Sequence, residues 1–300
     1  MKLRSSELVI PADNPFSNDL LKREEHVNAL ADFVENIEEP LVIAVNSPWG
    51  TGKTTFLRLL EAVLESRQIT SLHFNAWTND FSDDAFIALV SELGGFLESG
   101  KGKAQTEAAK HLTQARHIGA AIVKRSIPAL LKMATSGVLD LSKVSEEALA
   151  SLVESAAADA IKKHDEGKRT IEAFRTSLEK YVAALRASRA GEDKTQPPLV
   201  FFVDELDRCR PPYAIALLEK IKHLFNVDGL VFVLAIDSVQ LGHSLRSVYG
   251  RGMNVDGYLR RLIDFDYQLP VTEKGALLQA RSRLHSKPPT LRRERYPMRM

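Results

Sequence analysis

Hydrophobic runs and helical spacings alternate along most of the chain. Continuous apolar stretches predict strands over residues 41–45, 199–203 and 230–236, with weaker ones over 70–74 and 265–269. Runs of this kind are typical of strands buried on both faces of a parallel sheet. Apolar residues spaced three to four apart predict helices between them, over about 27–39, 54–66, 83–97 and 214–225. The alternation predicts an α/β fold, a three-layer, doubly wound parallel sheet.

Residues 98–197 have a different pattern. They are rich in Ala, Lys, Glu and Ser and show helical patches over 107–133, 145–163 and 168–187, without a strand-like run. We therefore predict an all-helical insertion between a first half of the core, residues 1–97, and a second half, residues 198–272. Charged residues and a proline interrupt its most apolar part, residues 118–139, which favours soluble helices over membrane contact. The insertion is expected to bind a protein partner or a second copy of the chain.

The composition narrows the class of protein further. With 44% hydrophobic and 26% charged residues, the chain has the make-up of a soluble globular protein. Its 40 Lys and Arg against 39 Asp and Glu exclude a globally basic nucleic-acid binder. The single cysteine, Cys209, excludes an intrachain disulfide and a Cys-rich metal cluster. The first residues lack the apolar core of a signal peptide, and we predict a cytoplasmic protein.

Positive charge is concentrated in the last part of the chain. Residues 281–300 contain six Arg and one Lys against one Glu. These residues show no strand or helix periodicity, and the whole tail, residues 273–300, is predicted to be disordered or the result of truncation. Three interpretations stay open: a basic arm that contacts nucleic acid or acidic partners, a chain that stops early or changes frame, and an ordinary solvated tail. Nucleic acid is therefore a candidate partner through this tail only.

The clearest chemistry follows the first predicted strand. Residues 47–55, Ser-Pro-Trp-Gly-Thr-Gly-Lys-Thr-Thr, match the phosphate-binding pattern G-x-x-x-x-G-K-[ST], except that Ser47 replaces the first glycine. Glycines let successive N–H groups face phosphate oxygens, and the next helix adds its N-terminal dipole. Lys53 is expected to reach the β- and γ-phosphates as a catalytic group, and the Thr54 hydroxyl to ligate Mg²⁺. The predicted nucleotide-binding residues are Ser47, Trp49, Gly50, Thr51, Gly52, Lys53, Thr54 and Thr55.

Carboxylates stand at the ends of two later strands, where side chains open into the ligand crevice of a parallel sheet. Asp204 is expected to hold Mg²⁺ through water, and Glu205 to polarise the attacking water as the general base. For Asp207 and Arg208, capping or pairing between subunits explains the residues as well as catalysis does. Asp237 is expected beside the γ-phosphate as a catalytic or sensing residue, with a helix N-cap as the alternative. No N-K-x-D guanine motif occurs in the chain, which argues against GTP.

Taken together, these motifs resemble the KAP family of P-loop NTPases, of the bacterial type. The resemblance covers roughly residues 14–272, and the pieces that carry it lie at 49–54, 74–77, 204–209, 233–237 and 258–262. It implies ATP as the nucleotide, Mg²⁺ as the metal and a five-stranded sheet in the order 5-1-4-3-2. It further implies ATP hydrolysis by a conformational switch or motor and, by analogy, a role in phage defence. A nucleotide-gated interaction module with negligible turnover is the alternative.

The matching pieces and the lead-in before them suggest roles for five more residues. Trp77 is predicted to pack in the core, and Asn75 to lie on the γ-phosphate side. Arg260 or Arg261 is a candidate arginine finger, with a solvated basic helix face as the alternative. Arg23 is a candidate for the border of the adenine pocket.

Overall fold

The computed structural model describes residues 10–11, 13–81, 84–98, 111, 113–114, 146–187 and 197–270. The predictions for residues 118–139 and for the tail 273–300 lie outside these residues, as does most of the predicted helix over 107–133.

Five parallel strands form one sheet. They are β1 (Leu41–Asn46), β2 (Ser71–Asn75), β3 (Leu199–Asp204), β4 (Leu230–Ile236) and β5 (Phe265–Gln268). Their order is β2-β3-β4-β1-β5, which is the predicted order 5-1-4-3-2 read from the other edge. β3 and β4 are buried along their whole length and β1 along all but its first residue, whereas the edge strands β2 and β5 are partly exposed. This difference explains why the edge strands gave the weaker sequence signal.

Helices cover both faces of the sheet. They are α1 (Glu24–Glu35), α2 (Lys53–Ser66), α3 (Ala85–Glu98), α4 (Glu146–Ala187), α5 (Pro211–Leu224), α6 (Ser238–Tyr249) and α7 (Val255–Leu262). Short 3-10 turns lie at Pro15–Asn18, Trp77–Asn79 and Leu206–Arg208. Three helices begin at residues that favour a helix start. Pro211 occupies the first turn of α5, and the side chains of Asp237 and Asn254 cap the N-termini of α6 and α7.

The strand side chains alternate between two cores, because successive residues of a strand point to opposite faces. Ile43, Val45 and Val233 pack with α1 and α2 in one core. Ala44 and Phe232 pack in the other, with residues of α3 to α7. Helices on each side of the sheet make the three layers that the sequence predicts.

α4 corrects one prediction about the insertion. The sequence predicts a break at Glu166-Gly167, but the structure has one continuous helix of 42 residues. A glycine inside a helix costs only about 1 kcal/mol, which good helix formers on both sides outweigh. The C-terminal part of α4 packs in the core through Phe174, Leu178 and Tyr181, which are fully buried. This part of the predicted insertion therefore completes a layer of the sheet, while the domain boundaries stay a prediction. Among the described helices, none is long and apolar enough to cross a membrane.

Candidate nucleotide site

The carboxyl edge of the sheet brings the loop after β1 and the residues after β3 to one cavity. The cavity has a volume of about 220 Å³. Its lining residues are Trp49, Gly50, Gly52, Lys53, Thr54, Asp204, Glu205, Asp207 and Arg208. The structure thus gathers the predicted phosphate loop and the predicted acidic strand end around one space, although about 150 residues of sequence separate them.

Two glycines give the loop its shape. Gly50 has φ 80° and Gly52 has φ 93°, a left-handed backbone that other residues rarely adopt. Gly52 is the N-cap of α2, so the first N–H groups of that helix face the cavity side of the loop. A Cβ atom at Gly52 would lie 3.1 Å from Cδ1 of Leu21, which packs on the loop from the N-terminal segment.

Ser47, the departure from the glycine pattern, braces the loop. Its φ is not positive, so this position has no need of a glycine. The Thr51 hydroxyl donates to the Pro48 carbonyl at 2.7 Å, and the Ser47 hydroxyl lies 2.6 Å from Thr51 Oγ1. Because the Thr51 proton is already used, Ser47 is the donor in the second bond. Ser47 and Thr51 are both buried, and their hydroxyls tie the two ends of the turn together.

Lys53 is buried at the start of α2. Its Nζ donates to the Ser47 carbonyl at 2.8 Å and lies 3.3 Å from Oδ2 of Asp207. A buried ammonium needs such partners, because an unpaired charge in the interior is costly. The contacts hold the ammonium at the cavity wall, where it is able to meet a phosphate.

The two acids after β3 are held differently. Asp204 is 2% exposed, and its Oδ1 accepts from the Glu205 N–H at 2.8 Å. Glu205 has a left-handed backbone with φ 59°, a conformation that costs free energy in a residue other than glycine. Its Oε2 accepts from Asn75 Nδ2 at 3.0 Å, and its Oε1 accepts from Arg208 at 2.8 Å. The strand register places Asn75 opposite Asp204, which brings the amide to this carboxylate.

The donors in the cavity fit Mg²⁺. Thr54 supplies a hydroxyl and Asp204 a carboxylate to the same space. Within the described ranges, no group of three or more His, Cys, Asp or Glu side chains is placed to hold a metal ion. Mg²⁺ usually keeps several waters and takes one or two protein oxygens together with phosphate oxygens, so a sparse set of this kind suits it.

Asp237 lies outside the cavity lining. Its Oδ1 accepts from the backbone N–H groups of Val239 and Gln240 at 3.1 and 3.2 Å, and its Oδ2 from the Trp49 N–H at 3.2 Å. The N-cap alternative accounts for the first two contacts, and the third anchors the phosphate loop. A catalytic role for Asp237 stays a prediction. Arg260 and Arg261 are exposed on α7 and are likewise not among the cavity residues.

Arg23 joins the phosphate loop to the end of β5. It is 2% exposed, and its guanidinium donates to the Pro270 carbonyl at 2.6 Å and to the Thr51 carbonyl at 3.4 Å. Burial lowers the pKa of Arg23, with Asp19 and Tyr267 opposing that effect. The adenine role predicted for Arg23 is untested, but its contacts give it a structural part in the site.

The prediction for Trp77 is wrong. The residue is 54% exposed, and the guanidinium carbon of Arg208 lies 5.9 Å from the centroid of its ring. Trp77 begins a 3-10 turn directly after the edge strand β2, so its ring lies at the rim of the sheet. The ring therefore belongs to the surface beside Glu205.

Cys209 is an inert thiol. Burial raises its pKa to about 12, and the neighbouring carboxylates of Asp80, Asp207 and Glu205 add to that rise. A thiol with so high a pKa stays protonated at neutral pH and is a poor nucleophile.

One residue of the site, Asn46, was not predicted from the sequence. Asn46, at the end of β1, donates through Nδ2 to Ser238 Oγ at 3.0 Å and to Asp266 at 3.4 Å. Its Oδ1 accepts from the Ser238 N–H at 3.1 Å. These bonds connect the end of β1 to the first residue of α6, after β4, and to a residue within β5. The available signal was a single amide at the end of an apolar strand, next to the loop.

The sheet order and the loop geometry define a P-loop NTPase domain. Residues 23–287 match the family described as the KAP family P-loop domain, and the chain belongs to that family. Membership in a P-loop NTPase family supports nucleotide binding by the chain.

Comparison with solved structures finds distant likenesses. Two structures of the Aeropyrum pernix ORC2 protein, described as ADPNP-ADP complexes and as the ADP form, are both 12% identical to this chain. The first covers 88% of this chain and 52% of its own, with a TM-score of 0.38. The second covers 93% and 55%, with a TM-score of 0.36. This chain thus spans about half the length of those structures. Comparison with curated proteins gave no match.

Proposed function

We propose that the chain binds ATP with Mg²⁺ at the phosphate loop, hydrolyses it, and acts through this cycle as a conformational switch or motor. The observation that carries the proposal is the single cavity lined by both the loop and the Asp204-Glu205 carboxylates. Phosphoryl transfer in P-loop enzymes depends on positioning and on electrostatic stabilisation. This cavity contains fixed N–H donors, a buried cation and carboxylates, which suit both tasks.

Each residue has a defined part in the proposal. Backbone N–H groups of residues 50–55 bind phosphate oxygens, and Lys53 balances the charge of the β- and γ-phosphates. Thr54 and Asp204 hold Mg²⁺, which supplies further charge neutralisation when it is bound. Glu205 accepts the proton of the attacking water at a carboxylate oxygen. Each oxygen of that carboxylate already accepts one hydrogen bond, from Asn75 or from Arg208, and has a second lone pair for the water.

The test measures ATP binding by calorimetry and Mg²⁺-dependent ATP hydrolysis by the purified chain. Lys53→Ala is expected to lose both, while Glu205→Gln keeps binding and loses at least about 100-fold in turnover. Lys168→Ala and Glu172→Gln make the same chemical changes at exposed positions of α4 and serve as controls. Full turnover by Glu205→Gln contradicts the base assignment. Undiminished ATP binding by Lys53→Ala contradicts the site.

A second candidate function is a nucleotide-gated interaction module with negligible turnover. The two hydrogen bonds to Glu205 favour it, because they hold the carboxylate on Asn75 and Arg208 and not on an attacking water. This candidate predicts ATP binding without ADP formation, together with an ATP-dependent change in hydrogen exchange along α4. Sustained ADP production that depends on Lys53 contradicts it.

The wider setting is also a proposal. The core halves 1–97 and 198–272 form the NTPase unit, and the insertion 98–197 carries the surface for a protein partner or a second copy. Nucleic acid is a candidate only for the tail 273–300, and we propose that the protein acts in the cytoplasm, away from membranes.

A role in phage defence has the family resemblance as its support. Plaque formation on cells that express the wild type or Lys53→Ala tests it, and equal plaque numbers contradict it.

A further inference from the structure

A buried carboxylate, Asp207, contacts the lysine of the phosphate loop. Its Oδ2 lies 3.3 Å from Lys53 Nζ, and its side chain is 3% exposed. The indole N–H of Trp49 donates to the same oxygen at 2.9 Å. One carboxylate oxygen therefore contacts both the ammonium of Lys53 and the indole N–H of Trp49, two groups of the phosphate loop.

Trp49 is attached to two strand ends at once. Its backbone N–H donates to Asp237, directly after β4, and its indole to Asp207, in the turn after β3. The residue is 54% exposed and lines the cavity. Any change at the Asp207 carboxylate therefore alters the surroundings of an exposed indole, which is a spectroscopic reporter.

A phosphate bound to Lys53 comes close to Asp207. A phosphate oxygen within hydrogen-bond distance of Nζ lies at most about 6 Å from Oδ2, because Nζ is 3.3 Å from that oxygen. Two negative groups at this separation repel each other in a partly buried site. Phosphate and carboxylate thus compete for one ammonium.

We propose that Asp207 is a positioning residue that balances the charge of Lys53, competes with the nucleotide phosphates for it, and thereby limits nucleotide affinity. The inference rests on the nucleotide binding proposed above. Asp207 holds the Lys53 ammonium at the cavity wall, and it weakens the binding of phosphates to that ammonium. The shared oxygen couples phosphate binding to Trp49. The turn Leu206–Arg208 begins directly after Glu205, so Asp207 lies two residues from the proposed base.

The experiment uses the full chain with Trp77→Phe, which leaves Trp49 as the only tryptophan. ATP and inorganic triphosphate are titrated with EDTA and with Mg²⁺, and Trp49 emission and calorimetric Kd values are recorded. Asp207→Asn keeps an acceptor for the indole but removes the charge. We expect it to bind both ligands at least about fivefold tighter under both conditions, with a smaller emission change on binding. Asp256→Asn, an exposed carboxylate on α7, is the matched control and should leave Kd unchanged.

Equal or weaker binding by Asp207→Asn overturns the inference, and weakening confined to Mg²⁺ would make Asp207 a metal-binding carboxylate instead. If Asp207→Asn does not fold, the Trp77→Phe protein decides alone: an unchanged Trp49 emission at saturating triphosphate overturns the coupling, and a shifted emission supports it. Absence of Lys53-dependent nucleotide binding in the wild type refutes the proposed function together with the inference. Nucleotide binding with an unresponsive Asp207 refutes only the inference.

Discussion

The two sides of the cavity hold their functional groups by different means. The loop side, residues 47–55, is fixed by two buried contacts, the hydroxyl pair of Ser47 and Thr51 and the guanidinium of Arg23. A partly buried contact with the carboxylate of Asp237 adds to them. The acid side, residues 204–208, holds Glu205 between Asn75 and the half-exposed Arg208. Arg208 in turn lies over the exposed ring of Trp77.

Because of this difference, we expect nucleotide binding and ATP hydrolysis to depend on different sides of the cavity. The loop side presents backbone donors whose shape is set by the interior, so it needs little rearrangement to meet phosphates. On the acid side, Asp204 and Asp207 are buried, but Glu205 is held by Asn75 and by the half-exposed Arg208, a surface pair that changes at small cost. We therefore expect changes on the loop side to affect stability and affinity together, and changes at the two partners of Glu205 to affect turnover alone. The predictions below test this division.

The largest effect is expected at Arg23. Arg23→Ala leaves the carbonyls of Thr51 and Pro270 without this donor in a buried setting and removes a large buried side chain, for a loss of about 3 kcal/mol in the free energy of unfolding. ATP affinity should fall with it, because Thr51 belongs to the loop. Urea denaturation and calorimetry measure both quantities. Arg251→Ala, at an exposed turn, is the control. A stable Arg23→Ala protein with normal affinity would show that the loop side is not fixed from the N-terminal segment.

Gly52→Ala is expected to cost about 2 kcal/mol of stability and most of the ATP affinity. The left-handed backbone strains any side chain, and the new Cβ meets Leu21 at 3.1 Å. Gly250→Ala is a control outside the loop: Gly250 has the same φ of 93° and open space around it, but its ψ is 162° where that of Gly52 is 28°. It should lose about 1–3 kcal/mol to backbone strain and no affinity. An equal loss of ATP affinity in the two variants would contradict the part assigned to the loop.

Ser47→Ala should cost about 1 kcal/mol of stability and a few-fold in ATP affinity, since it removes the donor that braces Thr51. Ser47→Gly, which restores the usual glycine of the pattern, should weaken the protein in the same way. Ser247→Ala removes an exposed hydroxyl bond within α6 and is the comparison. A gain of affinity in Ser47→Gly would argue that the serine merely replaces a preferred glycine.

The smallest effect on stability is expected at Arg208. Its pair with Glu205 is partly exposed, so Arg208→Ala should change the free energy of unfolding by less than about 0.5 kcal/mol. Turnover should rise severalfold, because one oxygen of Glu205 is released. Asn75→Ala removes the other donor and should act in the same direction. A fall in turnover with Arg208→Ala would instead indicate that Arg208 contacts the reacting phosphates, and it would contradict the role of Arg208 as a partner that restrains Glu205.

Much of the fold could be predicted because its central strands are apolar on both faces. Val42, Ile43 and Val45 in β1 show the pattern directly, and the glycines of the phosphate loop require a turn that the sequence displays. The position of Asp204 followed from the end of β3. These are local signals, and the structure contains the strand, the turn and the strand end that they predict.

The parts that could not be predicted depend on distant contacts. The pair of Lys53 and Asp207 exists because the ends of β1 and β3 meet across β4, which no local pattern reveals. Gly167 indicated a helix end by its residue type, but its neighbours outweighed it. Trp77 was assigned to the core by its size, although its place after an edge strand exposes it. Residue type alone predicted poorly wherever the position in the sheet decided the outcome.

The pairing of β1 has a consequence for synthesis of the chain on the ribosome. β1 pairs on one side with β4 and on the other with β5, and both emerge long after it. The bond from Val42 to Asp264 spans 222 residues, and the bond from Arg23 to Pro270 spans 247. The nascent chain therefore carries an apolar strand without its neighbours until β4 and β5 have emerged, and such segments are prone to aggregate in the meantime. The phosphate loop reaches its final shape only after residue 270 has left the exit tunnel.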